Sequence, residues 1–200
     1  VEIAGPDAAK LTQMLTPRDL RSLKVGQCFY VPIIDENAGM INDPVLLKLD
    51  NNKFWLSIAD SDLLLWVKGL AFGFGLNVDI SEPDISPLAV QGPKAAGLMT
   101  DIFGDQILDI PFFGFKVIPM FGRSQVVARS GYSKQGGYEI YLHGSHFGNE
   151  LWDLIWKAGE PYNIWPGSPN LIERIEGGLM SYGNESVSYT HLTLPTSKIV

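Results

Sequence analysis

Two polar clusters in this sequence hold residues whose types and spacing could do chemistry. The first is Gly39-Met40-Ile41-Asn42-Asp43-Pro44, where a glycine turn leads to an acid and then to an apolar strand starting at Val45. An acid in that position either closes the turn with its own side chain or presents a carboxylate at a strand edge, facing a cleft. The second runs Arg129-Ser130-Gly131-Tyr132-Ser133-Lys134-Gln135-Gly136-Gly137-Tyr138-Glu139-Ile140-Tyr141, a strand end, a glycine-rich loop and the start of another strand. Strand alternation sets Glu139 against Tyr138 and Ile140 and on the face of Tyr141. A glutamate inside an apolar strand is costly unless it is hydrogen-bonded. Glu139 therefore either faces water or meets a ligand that donates hydrogen bonds.

The familiar catalytic spacings are missing: no Cys-x-x-Cys, no His-Glu-x-x-His and no phosphate-cradling Gly-x-x-x-x-Gly-Lys. His143 and His146 fall in an expected loop with no obvious third ligand, which favours solvated residues over a metal site. Cys28 is the only cysteine. An internal disulfide is thereby excluded, a reducing, cytoplasmic setting is the simplest expectation, and Cys28 itself reads as a small buried apolar residue. A net charge of −7 argues against nucleic acid or an anionic membrane surface as a general partner. Apolar runs are too short to span a bilayer. The opening Val-Glu-Ile-Ala-Gly-Pro lacks the pattern of a signal peptide and has no initiator Met.

The elements that must position these residues repeat. Residues 1–15 and 88–103 each read as a short apolar strand, a Gly-Pro pair and an amphipathic helix. Leu11, Met14 and Leu15 in one, and Ala95, Leu98 and Met99 in the other, recur at helical spacing. Pro6 and Pro93 suit a first helical turn. Between the repeats, 27–34, 43–49, 54–58 and 78–80 read as strands, with a hairpin at Asn51-Asn52 and a helix over 61–71 capped by Asp60 or Ser61. After the second repeat, 112–120, 125–129 and 138–142 read as strands around a turn at Gly122-Arg123. Residues 147–158 and 171–180 read as helices, the first with Leu151, Leu154 and Ile155 inward, the second with Ile172, Ile175 and Leu179 on one face. Hairpin-linked strands favour an α+β fold over a doubly wound sheet. Domains are expected at 1–86 and 87–186. Residues 187–200 match no element and read as a non-native tail, a real but unpacked tail being the alternative, so His191 is given no functional weight.

Taken in order, Gly39–Asp43, Gln91-Gly92-Pro93, Ser130-Gly131-Tyr132 through Gly137-Tyr138-Glu139, Arg174-Ile175-Glu176 and Tyr182-Gly183-Asn184 resemble the aminomethyltransferase (glycine-cleavage T-protein) superfamily across nearly all of 1–185. The wording at Asn42-Asp43-Pro44, Ala59-Asp60-Ser61-Asp62, Glu82-Pro83-Asp84-Ile85-Ser86-Pro87 and Ser133-Lys134-Gln135-Gly136-Gly137 is nearer its dimethylsulfoniopropionate demethylase branch. The resemblance implies two related α/β halves around a central folate cleft, with a short N-terminal piece and a C-terminal β-barrel domain absent from the chain.

It also implies roles. Asp43 matches the catalytic carboxylate beside the reactive folate nitrogen. Glu139 matches the residue gripping the pterin, whose amino group and ring N–H fit one carboxylate as an arginine does. Tyr30, Tyr132 and Tyr141 match aromatic positions lining the cleft, and Ser57 a polar position near the pterin. The implied partners are tetrahydrofolate, as methyl acceptor, and a small sulfonium or amine methyl donor, with no metal; a homodimer is left open. The sequence departs from the aminomethyltransferases at Asn42, where they carry Asp, in the loop Gly131-Tyr132-Ser133-Lys134-Gln135, and at Asn170, where they carry Arg. Tyr132 replaces a Trp expected in demethylases. The implied reaction is methyl transfer from dimethylsulfoniopropionate to tetrahydrofolate. A folate-dependent aminomethyltransferase using glycine-derived, sarcosine or dimethylglycine donors is the alternative, and a non-catalytic folate-binding module a second.

Overall fold

The computed structural model describes residues 1–58 and 63–186, which form two compact units. One is Val1–Pro83 with the stretch beginning at Met180, and the other is Asp84–Leu179. The expected caps Asp60 and Ser61 and the expected tail at 187–200 lie outside the described residues.

In the first unit the chain order is β1 (Glu2–Ala4), α1 (Ala8–Leu15), β2 (Cys28–Tyr30), β3 (Ile33–Ile34), β4 (Met40–Asn42), β5 (Val45–Asp50), β6 (Lys53–Ser57), α2 (Leu63–Gly73) and β7 (Asp79–Ser81). Five of these strands form an antiparallel sheet in the order β2-β5-β6-β1-β7, and β3 and β4 make a separate hairpin. Period-two alternation divides the sheet's side chains between its faces. Ile3 pairs with both Phe54 and Ile80, and Leu46 pairs with Leu56. These residues are buried in one cluster with Leu11 and Leu15 of α1 and Leu63, Val67 and Ala71 of α2. The opposite face carries the row Tyr30–Val45–Ser57.

The second unit runs β8 (Ile85–Gln91), α3 (Ala95–Phe103), β9 (Phe115–Met120), β10 (Arg123–Ala128), β11 (Gly137–His143), α4 (Gly148–Gly159) and α5 (Leu171–Glu176). Its sheet is antiparallel in the order β8-β11-β10-β9. Val90, Val127, Tyr138, Ile140 and Leu142 pack on Ala95, Leu98 and Met99 of α3 and Leu151 and Ile155 of α4.

The two halves are one design used twice. The order β8-β11-β10-β9 repeats β1-β6-β5-β2, with β7 added beyond β1. In each, the strand leaves through a glycine with left-handed backbone, Gly5 at φ 126° and Gly92 at φ 121°. Gly5 N–H donates to Asn52 C=O at 3.0 Å and Gly92 N–H to Gly136 C=O at 2.9 Å. Ala8 N–H then returns to Gly5 C=O, and Ala95 N–H to Gly92 C=O, both at 3.0 Å. Asp7 (φ −98°, ψ 9°) and Lys94 (φ −101°, ψ −1°) take the third position of a type I turn. Pro6 and Pro93 thus occupy the second position of that turn, where a φ near −65° is wanted, rather than the first turn of the helix.

Other expectations shift for local reasons. The strand expected over 27–34 breaks into β2 and β3, and His143 closes β11 instead of lying in a loop. The strand expected from 112 begins at Phe115, because Phe113 turns at φ 57° and Gly114 N–H closes on Pro111 C=O at 2.8 Å. Phe121 and Gly122, at φ 54° and 70°, form the hairpin turn between β9 and β10, one residue earlier than expected. Leu154, expected inward, is 38% exposed, and Met14, at helical spacing with Leu11 and Leu15, is 40% exposed. The helix expected over 171–180 stops at Glu176. There Gly178 N–H donates to Ile175 C=O and Leu179 N–H to Arg174 C=O, with Gly178 at φ 67°, a Schellman ending. Its Leu171, Ile172 and Ile175 are exposed, and Arg174 is the buried residue. Among the described residues no helix is long and apolar enough to cross a membrane.

The repeat's glycine gives a stability prediction. A Cβ on Gly5 would sit 2.8 Å from Asn77 O in a backbone conformation that alanine rarely adopts, whereas one on Gly69, within α2, would meet nothing within 4 Å. Gly5→Ala is expected to destabilise by about 1–3 kcal/mol. Gly69→Ala should be neutral or stabilising by up to about 1 kcal/mol. Urea denaturation midpoints of both variants check the pair.

Candidate functional site

In the first unit the β3–β4 hairpin delivers Asp43. Asp35 Oδ1 accepts from Asn37 N–H at 2.9 Å and Gly39 N–H at 2.7 Å, which tightens the hairpin turn. The chain then runs through β4, Asp43 and Pro44 into β5. Val31 N–H donates to Pro44 C=O at 3.0 Å, holding this crossing against the end of β2. Tyr30 closes β2, and its hydroxyl donates to Asp43 Oδ2 at 2.7 Å. Asp43 N–H in turn donates to the Asn42 side-chain oxygen at 2.8 Å. Ser57 lies across Val45 from Tyr30, on the same sheet face. Tyr30, Asp43 and Ser57 are thus brought to one side of the sheet, away from the helices.

Arg18 supports this corner. It donates to Tyr30 C=O at 2.6 Å while its guanidinium lies 4.1 Å from the centre of the Phe29 ring. The Gln13 side chain fixes the loop that carries Arg18. It donates to Arg18 C=O at 2.9 Å and accepts from Leu20 N–H at 2.9 Å.

In the second unit Glu139 and Tyr141 share the face of β11 that points away from α3 and α4. Ala128 is opposite Glu139, and Val126 is opposite Tyr141. Ser130, two residues beyond Ala128 and buried, donates its hydroxyl proton to Glu139 Oε2. Among the described residues Ser130 is the one hydrogen-bond donor to Glu139. Tyr141 is buried, and Tyr132 stands exposed on the glycine-rich loop. The loop is pinned by Gln91, whose amide donates to Ser130 C=O at 3.0 Å and Tyr138 C=O at 3.2 Å.

Both acids are shifted in the same sense. Burial pushes the Asp43 carboxyl above its ordinary value, partly offset by the Tyr30 hydroxyl. Burial likewise pushes Glu139 up, partly offset by Ser130. Each is a desolvated carboxylate met by a neutral hydroxyl, ready to accept further hydrogen bonds or a proton. His146 sits in a single helical turn, and among the described residues no group of three or more His, Cys, Asp or Glu is placed to hold a metal ion.

Sequence reasoning assigned no role to Ser130, Gln91 or Arg18. Two signals for the first two were present: glycines at 131 and 137, where any side chain would strike Gln91, and a serine at strand periodicity from Ala128. Arg18 left no signal, because its partners, the Tyr30 carbonyl and the Phe29 ring, meet it only through the fold.

The shifts generate a pH prediction. A raised carboxyl pKa in the folded state means that its stability contribution is complete below the ordinary, unfolded pKa and is lost as pH rises through the folded one. Asp43→Asn and Glu139→Gln keep an oxygen to accept the hydroxyl proton and remove the half-buried charge. Each variant should melt above the parent at pH 7, with the gain shrinking toward pH 4. Thermal melts across that range check it, and a gain that grows on acidification contradicts the assignment.

Comparison with known proteins agrees with this architecture. The family described as the GCVT N-terminal domain matches residues 1–193. Dimethylsulfoniopropionate demethylase DmdA of Ruegeria pomeroyi is 51% identical over 185 residues, covering 92% of this chain and 51% of that protein. An aminomethyltransferase of Caldanaerobacter subterraneus is 31% identical over 189 residues, covering 92% of this chain and 50% of that protein. The crystal structure of the glycine cleavage system aminomethyltransferase T from Bartonella henselae superposes with a TM-score of 0.82 at 25% identity, covering 95% of this chain and 51% of that one. The chain therefore spans about half the length of the curated relatives it matches. With the doubled strand–turn–helix unit and the order of its polar clusters, the match places the chain in the GCVT N-terminal domain family.

Proposed function

We propose that this chain belongs to a tetrahydrofolate-dependent methyltransferase that moves a methyl group from dimethylsulfoniopropionate to N5 of tetrahydrofolate, giving 3-(methylthio)propionate and 5-methyltetrahydrofolate. The observation that carries the reading is the 51% identity to a dimethylsulfoniopropionate demethylase, against 31% to an aminomethyltransferase over the same extent. The lone cysteine is consistent with a cytoplasmic setting.

The residues fit a reduced pterin chemically. Glu139 is a carboxylate withdrawn from water, the acceptor that an amino group beside a ring N–H requires. Asp43, raised by burial and oriented by Tyr30, is suited to take up the proton released as N5 is alkylated. A sulfonium carries its own good leaving group, and the bond electrons go to sulfur as the methyl carbon is transferred. The protein's main task is alignment, which contributes on the order of 7–11 kcal/mol in favourable cases. Tyr132, exposed on the glycine-rich loop, supplies an aromatic face for the sulfonium cation, worth about 0.5–2 kcal/mol; Tyr141 is buried on the Glu139 face of β11, and Ser57 adds a hydroxyl on the Tyr30 face.

Aminomethyl transfer is the second reading, favoured by the match in fold to an aminomethyltransferase T. Incubating the full-length protein with tetrahydrofolate and each donor in turn, and assaying 5-methyltetrahydrofolate, separates the two. Asp43→Asn should lower kcat about 10²–10⁴-fold. Glu139→Ala should raise the KM for tetrahydrofolate about 10–100-fold, the loss of a hydrogen bond to a charged group. Unchanged methyl transfer in both variants sinks the assignment.

A further inference from the structure

Gln91 ends β8, next to Gly137 in the sheet register. Its side chain occupies space that two glycines leave open. A Cβ at Gly131 would lie 2.1 Å from Gln91 Oε1, and one at Gly137 would lie 2.9 Å from Gln91 Nε2. The amide uses both its donors and its acceptor: Nε2 to Ser130 C=O (3.0 Å) and Tyr138 C=O (3.2 Å), and Oε1 from Ser133 Oγ (2.8 Å). Ser130 opens the glycine-rich loop, and Tyr138 lies just past its other end, in β11. Ser130 holds the Glu139 carboxylate, and Tyr138 is its chain neighbour. One side chain therefore ties the hydroxyl donor to the strand that carries its acceptor.

We propose that Gln91 is a positioning residue: it fixes the separation of Ser130 from Glu139 and so preorganises the carboxylate for its ligand. Gly131 leaves the room that Gln91 needs beneath the loop, whereas at Gly137 a Cβ would first strike the backbone, Val90 O at 2.3 Å. A hydroxyl, with one proton to donate, could tie a single loop end. Only an amide, with two donors on one nitrogen, reaches both carbonyls and still accepts from Ser133.

The choice of ligand rests on the folate reading, so the test has two arms on the full-length protein. In the first, melting temperatures are measured for Gln91→Met, Ser130→Ala and the double variant, without ligand. If Gln91 acts through Ser130, the double variant loses clearly less than the sum of the singles; additive losses overturn the proposal. In the second, Gln91→Met is expected to raise the KM for tetrahydrofolate about tenfold with kcat within about twofold, the pattern of lost ligand binding. An unchanged KM also overturns it. If the parent protein binds no tetrahydrofolate, the folate reading fails and the melting cycle alone decides Gln91. Should Gln91→Met not fold, Ser133→Ala removes the bond to Gln91 Oε1 together with the one that Ser133 Oγ accepts from Gln135 N–H. It is then expected to raise that KM two- to fivefold, and no change counts against the proposal.

Discussion

A carboxylate withdrawn from water must be given hydrogen-bond donors, and the choice of donor decides what it can do next. Asp19 shows the exposed case, in water and paired with Arg21, where the carboxyl is held down to about 2. Asp43 and Glu139 show the withdrawn case, each met by a hydroxyl, from Tyr30 and Ser130 respectively. A hydroxyl orients the carboxylate without cancelling its charge, so burial wins and both groups rise above their ordinary values. Such a group is costly to the fold and useful to a ligand. It also has to be held, because a hydroxyl that drifts leaves a charge unpaired in a dry environment. Arg18 clamping the Tyr30 carbonyl and Gln91 spanning the Ser130 loop meet this requirement from the backbone side.

The repeat was legible in the sequence because its signals are local. Gly-Pro followed by Leu11 and Leu15, or by Leu98 and Met99, carries both turn chemistry and helical period within a dozen residues. The alternation placing Glu139 beside Tyr141 and against Tyr138 and Ile140 was equally local, and the register agrees with it. What could not be read is what depends on contacts distant in sequence. Ser130 faces Glu139 only once β10 and β11 pair, and Arg18 reaches Tyr30 only once β2 takes the sheet edge. The failure at α5 has a different cause. Ile172, Ile175 and Leu179 fall at helical spacing, but Gly177-Gly178 allow the chain to leave the helix before Leu179 joins it. Periodicity predicts a face only where the helix persists.

The duplicated backbone also explains where the polar residues can be. Setting Gly5 on Gly92 puts Ala8 on Ala95, Leu11 on Leu98, Ile3 on Val90, Leu56 on Ile140 and Phe54 on Tyr138, and every one of these is buried among helices. On that face the two halves keep one character, because a packed core tolerates little change in volume or polarity. The other face is under no such constraint. The pairing of Glu2 with Trp55 corresponds to Ala89 with Glu139, and Val45 with Ser57 to Val126 with Tyr141. Tyr30, opposite Val45, corresponds to Val117, opposite Val126. Where the second half presents a half-buried acid, the first presents a tryptophan whose indole N–H donates to Glu2 at 2.7 Å. Where the first presents a tyrosine that orients an acid, the second presents a valine. Helix packing on one face sets the register, and with the register held the opposite face could diverge row by row. Each half thus carries one hydroxyl-held carboxylate, at a different position on the same scaffold.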